Sequence, residues 1–153
     1  ETSVFQRGWP KVPEGWRNNS LNDHVSELRK LRTVINRMLE SCRNNQELGS
    51  SLEASVRVQI VDEKVKSAVE WLHQNESNEV DVLRDWFLVS HLQIDGEPWA
   101  EVLISENNDI ASIDIAKARG FKCERCWHYN IVMSNNKKHP NICKRCEQVV
   151  LSI

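Results

Sequence analysis

Residues 122–128 read KCERCWH and residues 142–146 read ICKRC, and these two stretches decide how the end of the chain folds. Each contains a Cys-x-x-Cys pair, and sixteen residues separate the pairs. A pair at this spacing forms a tight knuckle whose two sulfurs point the same way, so two pairs complete a tetrahedron around one metal ion. The predicted ligands of this four-thiolate site are Cys123, Cys126, Cys143 and Cys146.

Zinc is the expected metal, because a closed set of thiolates suits an ion without redox demands, although a rubredoxin-like iron has the same spacing. With all four positions filled by protein, the site is predicted to be structural rather than catalytic. Two disulfides are the alternative, but paired x-x spacings are typical of metal sites and no secretory signal is visible. His128 and His139 lie nearby. Either could replace a cysteine, yet both cysteine pairs are complete.

Charge is distributed unevenly along the chain, whose formal net charge is −2. Residues 1–115 hold 12 Lys and Arg against 20 Asp and Glu, a net −8, whereas residues 116–153 hold 8 against 2, a net +6. A four-thiolate zinc site adds +2 and −4, which leaves the tail near +4. The near balance of the whole argues against a chain that binds nucleic acid everywhere. The basic tail is the candidate surface for a polyanion.

The sequence offers no catalytic motif. It contains no phosphate loop, no Gly-x-Ser-x-Gly elbow and no His-Glu-x-x-His helix, and its acidic residues are scattered. No segment approaches the roughly 18 uninterrupted apolar residues of a membrane span. The chain starts without Met, on Glu1, and we expect it to be part of a longer polypeptide.

The first third of the sequence predicts an irregular segment and one long helix. Residues 1–20 mix prolines and glycines with Trp9 and Trp16, which predicts a segment lying across a larger body with its indoles tucked in. A helix is predicted from Asn22 to Asn45, and we expect it to join a helical bundle whose other members lie upstream. Its apolar stripe comprises Val25, Leu28, Leu31, Ile35, Met38, Leu39 and the core residue Cys42.

The middle of the sequence predicts a small β-α-β-β sheet with one helix across it. Residues 52–60 alternate apolar and polar as in a half-buried strand, and residues 62–74 have helical periodicity. After a break at 75–78, residues 86–94 are predicted to be the second strand. Further expectations are a short strand or turn at 102–104, a polar turn at 106–109 and a third strand at 110–118. The predicted class is α+β, with domains at 1–47, 48–119 and 120–153.

The tail also carries candidate RNA-binding residues. Arg125 and Trp127 flank Cys126, so the metal fixes their directions. An indole on a closed metal loop can stack on an unpaired base, while neighbouring cations neutralise phosphates. Trp127 could instead pack the tail against the sheet, with the cations merely offsetting thiolate charge. The full set of RNA-contact candidates is Lys122, Arg125, Trp127, Lys144 and Arg145.

The knuckle sequences KCERCWHY at 122–129 and ICKRCEQVV at 142–150 closely resemble the C-terminal zinc module of bacterial-type isoleucyl-tRNA synthetases. The resemblance extends upstream. Residues 3–5 (SVF), followed by Trp9-Pro10, look like the entry to that family's last anticodon-binding helices. Residues 48–54 (LGSSLEA) look like the segment that joins those helices to the C-terminal α/β piece. The resemblance therefore covers essentially the whole chain, and the double knuckle is its most specific part.

The resemblance implies a function for the longer protein. Enzymes of this family are isoleucine–tRNA ligases, which activate isoleucine with ATP, transfer it to its tRNA and hydrolyse mischarged valine in an editing domain. Their zinc module reaches the anticodon stem-loop, and Arg125 and Trp127 match positions that contact anticodon nucleotides. The family's two nucleotide-binding signatures are absent from these 153 residues. ATP and Mg²⁺ are therefore expected only in a catalytic core elsewhere, and the implied partners are isoleucine tRNA and upstream domains of the same enzyme, with no membrane and no DNA.

Two other functions are compatible with the tail. One is the zinc tail of a base-excision DNA glycosylase, although the amino-terminal catalytic proline of those enzymes is not here. The other is a purely structural or protein-interaction zinc ribbon that locks the C-terminus onto the sheet. A bacterial-type synthetase would work in a bacterial cytoplasm, a plastid or a mitochondrion, and the loops rich in Asn and Ser favour an organelle.

Overall fold

The computed structural model describes residues 3–74 and 81–152. A long helix, α1 (Asn19–Asn44), begins where the Asn18 side chain accepts a hydrogen bond from the backbone N–H of Leu21 at 3.0 Å. This cap starts the helix three residues before the predicted position. The predicted apolar stripe is confirmed by its buried members, which are Leu28, Leu31, Ile35, Met38, Leu39 and Cys42. Burial raises the pKa of the Cys42 thiol, as expected of a core cysteine.

Among the described residues the stripe is covered by the chain itself, so its burial does not depend on helices from upstream, and the helical bundle there stays a prediction. α1 packs on a second helix, α2 (Glu63–Gln74), and on the sheet. Leu31 and Ile35 are fully buried in the same core as Val65. The sequence shows that a face is apolar but does not show which element covers it, because α2 presents an equally apolar face of its own.

The N-terminal segment contains two 3₁₀ turns, Val4–Gln6 and Glu14–Trp16. Its indoles are predicted to tuck in, but Trp9 is 98% exposed and Trp16 76% exposed. Within residues 3–74 and 81–152, neither ring is buried.

The sheet has four strands in the order β2-β1-β4-β3. β1 pairs in parallel with β2 and antiparallel with β4, and β3 pairs antiparallel with β4. One face of β1 lies in the main core through Val56 and Val58, beneath the helices. The strands are β1 Ala54–Ile60, β2 His91–Ile94, β3 Ile104–Asn107 and β4 Ala111–Lys117.

The structure corrects two assignments in this region. A strand is predicted at 86–94, but residues 86 and 87 belong to a third helix, α3 (Val82–Phe87). Only His91–Ile94 is strand. Asp81 caps α3 by accepting from the N–H of Arg84 at 2.8 Å, and Leu88 ends it with a left-handed φ of 55°. The predicted polar turn at 106–109 overlaps β3, so the sheet has one strand more than expected. The predicted break at 75–78 lies outside the described residues.

A second, smaller unit follows β4. It contains a short hairpin and a C-terminal helix, and it carries the four cysteines of the double knuckle. Its elements are β5 Phe121–Lys122, β6 Tyr129–Asn130 and α4 Lys144–Leu151. The mixture of a long helix, a small sheet and a four-cysteine unit confirms the predicted α+β class. Of the helices that the structure describes, none combines the length and apolar composition that crossing a membrane requires.

Candidate metal centre

The four predicted ligands come together. Their sulfurs all lie within 4.8 Å of one another, and those of Cys126 and Cys143 are 3.8 Å apart. A zinc ion about 2.3 Å from each of four thiolates places neighbouring sulfurs about 3.8 Å apart, so the spacing fits a tetrahedral ion. All five cysteines of the chain are unpaired, which rules out the disulfide alternative in this structure. Neither His128 nor His139 belongs to the cluster.

The sulfurs differ in how readily they ionise. Burial opposes ionisation of Cys123, but the backbone N–H groups of Cys126, Cys143 and Arg125 lower its pKa to about 6. Burial raises the pKa of Cys126 to about 12 and raises that of Cys143 as well. Without a cation the pocket thus favours neutral thiols at two of its four positions. A divalent metal is the group that this donor set fits, because it stabilises the thiolates together.

Local backbone bonds give each knuckle its shape. In the first, the N–H of Trp127 donates to the carbonyl of Cys123 at 2.9 Å, and the N–H of Cys123 donates to the carbonyl of His128 at 2.9 Å. The second runs directly into α4, whose N-cap is Cys143. The backbone N–H of Cys143 also donates to the sulfur of Cys123 at 3.3 Å, which ties the knuckles together. Both pairs therefore converge without a large apolar core.

The candidate RNA-binding side chains have different surroundings. Trp127 is 60% exposed, so its ring does not pack the module against the sheet. The Lys122 ammonium lies 5.4 Å from the centre of that ring, a cation–π distance. Arg125 Nη1 lies 3.6 Å from the sulfur of Cys146 and so offsets part of the thiolate charge. Lys144 is exposed on the first turn of α4.

Arg145 faces the body of the protein. Its Nη1 donates to Asp85 Oδ2 on α3 at 3.0 Å. His128 Nε2 lies 3.7 Å from Oδ1 of the same carboxylate. Burial and the nearby Arg84 guanidinium lower the pKa of His128, and at 3.7 Å its contact with Asp85 is longer than a hydrogen bond. Sequence reasoning missed Asp85, because a carboxylate on a helix surface gives no signal of what it contacts.

The link from β4 to the first knuckle depends on Gly120, whose φ is 102°. A Cβ at this position would lie 2.3 Å from the backbone oxygen of Asn130 on β6. We expect Gly120→Ala to destabilise the hairpin by about 1 to 3 kcal/mol, because both the left-handed backbone and the clash oppose a side chain. Urea denaturation followed by far-ultraviolet circular dichroism measures the change. Gly8→Ala is the matched control, since a Cβ there meets nothing within 4 Å, and an equal effect in both variants would contradict the prediction.

Comparison with known proteins gives the class of the module first. Residues 120–149 match the family described as a zinc finger found in FPG and IleRS. The fit of four sulfurs around one ion agrees with that description, and together they support structural zinc. The description covers both the glycosylase and the synthetase considered above, so the finger alone does not separate them.

Relatives over the whole chain separate them. The chain is 78% identical to the isoleucine–tRNA ligase of Prochlorococcus marinus strain NATL2A over 153 residues, which are 100% of this chain and 16% of that protein. It is 52% identical to that of Synechococcus sp. strain CC9311 over 148 residues, 97% of this chain and 15% of the relative. With the ligase of P. marinus strain MIT 9312 it shares 43% identity over 150 residues, 98% of this chain and 16% of the relative.

From end to end, the chain is therefore similar to the C-terminal part of bacterial isoleucine–tRNA ligases, which confirms the resemblance inferred from the knuckle sequences. It spans no more than 16% of the length of the relatives described above. These relatives are bacterial and give no support to the preference for an organelle.

Proposed function

We propose that the chain is the anticodon-recognising part of an isoleucine–tRNA ligase and that its zinc module, residues 120–153, contacts the anticodon stem-loop of isoleucine tRNA. The observation that carries the proposal is the position of Trp127. Its ring is 60% exposed although it belongs to a loop that the metal closes. The similarity to isoleucine–tRNA ligases supports tRNA, rather than DNA, as the polyanion.

The side chains around the ring suit an unpaired RNA loop. The indole offers one flat face to a base, and Lys122 lies beside it. Arg125 and Lys144 add positive charge from both knuckles, next to thiolates whose charge the metal offsets. Arg145 is the least suited of the five candidates, because its guanidinium already pairs with Asp85.

In the whole protein, we propose, isoleucine is joined to its tRNA with ATP and Mg²⁺ in a core outside these 153 residues. Zinc, held by the four cysteines, fixes the shape of the module. The chain's own residues supply binding and orientation of the tRNA, and the upstream domains of the same enzyme are its second partner. By the source of its relatives, this enzyme works in a bacterial cytoplasm.

Replacing Trp127 by Ala tests the proposal directly. Loss of one base–aromatic stack is expected to cost about 1 to 3 kcal/mol, or roughly 5- to 150-fold in affinity for an isoleucine tRNA anticodon stem-loop. Fluorescence anisotropy of labelled RNA at several salt concentrations measures it, with zinc content staying at one ion per chain. Trp9→Ala is the control, since that indole is 98% exposed and outside the module. Unchanged affinity of the folded Trp127→Ala chain would contradict the stacking role.

Competition experiments separate the other two functions. A glycosylase-type tail would prefer duplex DNA to the RNA stem-loop at equal salt. A purely structural ribbon would bind neither, and loss of zinc would then lower the stability of the sheet without changing RNA affinity.

A further inference from the structure

We infer that Asp85 is a positioning residue, which holds the zinc module in one orientation on the body of the protein and so presents Trp127 to RNA. The inference rests on the proposed function for its consequence in binding, but its geometric part stands independently. Asp85 lies on α3, outside the module and outside the set of residues predicted to contact RNA.

One carboxylate contacts both knuckles. Arg145 lies between the two cysteines of the second pair, and its Nη1 donates to Asp85 Oδ2 at 3.0 Å and to Oδ1 at 3.4 Å. His128 directly follows Trp127 in the first knuckle, and its Nε2 lies 3.7 Å from Oδ1. The Nε2 atom is buried and has no hydrogen-bond partner among the described residues, so its approach to Asp85 is a packing contact. The residue next to the stacking ring therefore rests against Asp85.

Asp85 is itself held rigidly. Its helix is capped by Asp81, and Leu83 and Phe87 are buried in the main core, Phe87 completely. Arg84 Nε lies 3.8 Å from Asp85 Oδ1 and adds a neighbouring positive charge. Because α3 is anchored in the main core, the Asp85 carboxylate has a fixed position, and a side chain of the module that binds it is fixed relative to the core.

A second contact between body and module involves Ser90, five residues after Asp85, and further restricts the orientation of the module. The backbone N–H of Tyr129 on β6 donates to Ser90 Oγ at 2.7 Å. Ser90 is fully buried, and its hydroxyl in turn donates to the carbonyl of Leu52. Residues 85–90 therefore hold the module through two hydrogen bonds, from Arg145 and from the N–H of Tyr129, and through the packing contact of His128 with Asp85.

Asp85→Asn provides a test in which simple electrostatics and positioning predict opposite signs. Removing a negative charge beside a basic module would, by charge alone, strengthen binding to RNA. The positioning role predicts instead that affinity for the anticodon stem-loop falls about tenfold, while zinc stays at one ion per chain. Asp109→Asn is the control, because it removes the same charge from an exposed turn between β3 and β4. If the unmodified chain binds RNA and Asp85→Asn binds as tightly or more tightly, the inference is overturned.

Arg145 supplies a second arm, which serves also if Asp85→Asn folds poorly. If Arg145 acts only through Asp85, then Arg145→Ala and the double variant lose the same factor as Asp85→Asn. A further loss in the double variant would mean that Arg145 contacts RNA itself, and it would contradict the inference.

A readout without RNA keeps the two proposals apart. Residual dipolar couplings of the 153-residue chain are expected to fit one alignment tensor for body and module together, whereas in Asp85→Asn the module requires a different tensor. An unchanged common tensor would overturn the inference even if RNA binding were lost. Failure of the unmodified chain to bind the stem-loop would instead count against the proposed function alone.

Discussion

Removing zinc with a chelator is expected to unfold the module while the sheet and α1 keep their structure. Among the described residues, the interior of the module consists of Ile142 and three of the ligand cysteines, with Cys126 and Val150 packed against them. So small an apolar cluster cannot stabilise the module by itself. In such modules the metal-binding free energy, about 10 to 16 kcal/mol, is also the free energy of folding. Amide spectra by nuclear magnetic resonance should show collapse of the signals of residues 120–152 and retention of those of β1 and β4.

Two cysteine variants sharpen this test. Cys143→Ser removes a ligand and should abolish stoichiometric zinc binding, whereas Cys42→Ser changes a thiol buried in the other core and should leave one zinc per chain. Acid should help the chelator, because protons compete with zinc for thiolates and the metal is released as pH falls. Purified, reduced chain without a bound transition metal, or loss of β1 and β4 signals together with the module, would contradict the prediction.

Replacing Asp114 by Ala is expected to destabilise the body by about 3 to 5 kcal/mol, because the buried Arg57 guanidinium loses its counter-charge and keeps only the hydrogen bond from Nε to the Gly96 carbonyl. Asp114 on β4 lies opposite Arg57 on β1, and Arg57 Nη1 donates to its Oδ2 at 2.7 Å. Both residues are at least 91% buried, with exposures of 5% for Arg57 and 9% for Asp114. Ser105 also donates to Asp114 at 2.7 Å. In urea denaturation at neutral pH, the Asp114→Ala variant should unfold at a much lower urea concentration than the unmodified chain.

The matched control is Asp109→Ala, which removes an exposed carboxylate and should change stability by less than about 0.5 kcal/mol. A double variant with apolar residues at both positions, Arg57→Met with Asp114→Leu, should recover most of the loss, since replacing a whole buried pair is often neutral. If Asp114→Ala behaved like the control, the pair would not support the body as its burial indicates.

The features predicted correctly have a fixed spacing or a clean period. The cluster of four cysteines follows from two Cys-x-x-Cys pairs, and the stripe of α1 follows from recurrence every three to four residues. Alternation gave the strand β1, although its predicted exposed face is buried at Ser55 and Arg57. The helix α3 was missed because its apolar residues run on into Leu88 and Val89 and resemble a buried strand. This helix of only six residues depends on the Asp81 cap at its start and on Leu88 at its end, whose left-handed backbone is unfavourable for leucine.

The features that could not be predicted are contacts between elements distant in sequence. Nothing local indicates that α2 covers α1, or that Arg145 pairs with Asp85, 60 residues away. The same applies to Arg57 and Asp114, which read as ordinary surface charges on alternating strand positions until the strand register brings them together.

Trp127 has a φ of 65°, a backbone conformation in which glycine is comfortable and a large side chain is not. If Trp127 contacts RNA as proposed, thermal stability and affinity for RNA therefore place opposite demands on this position. Glycine at this position would remove the backbone strain and stabilise the loop, but it would also remove the indole ring. Variants designed for higher stability should therefore keep Trp127.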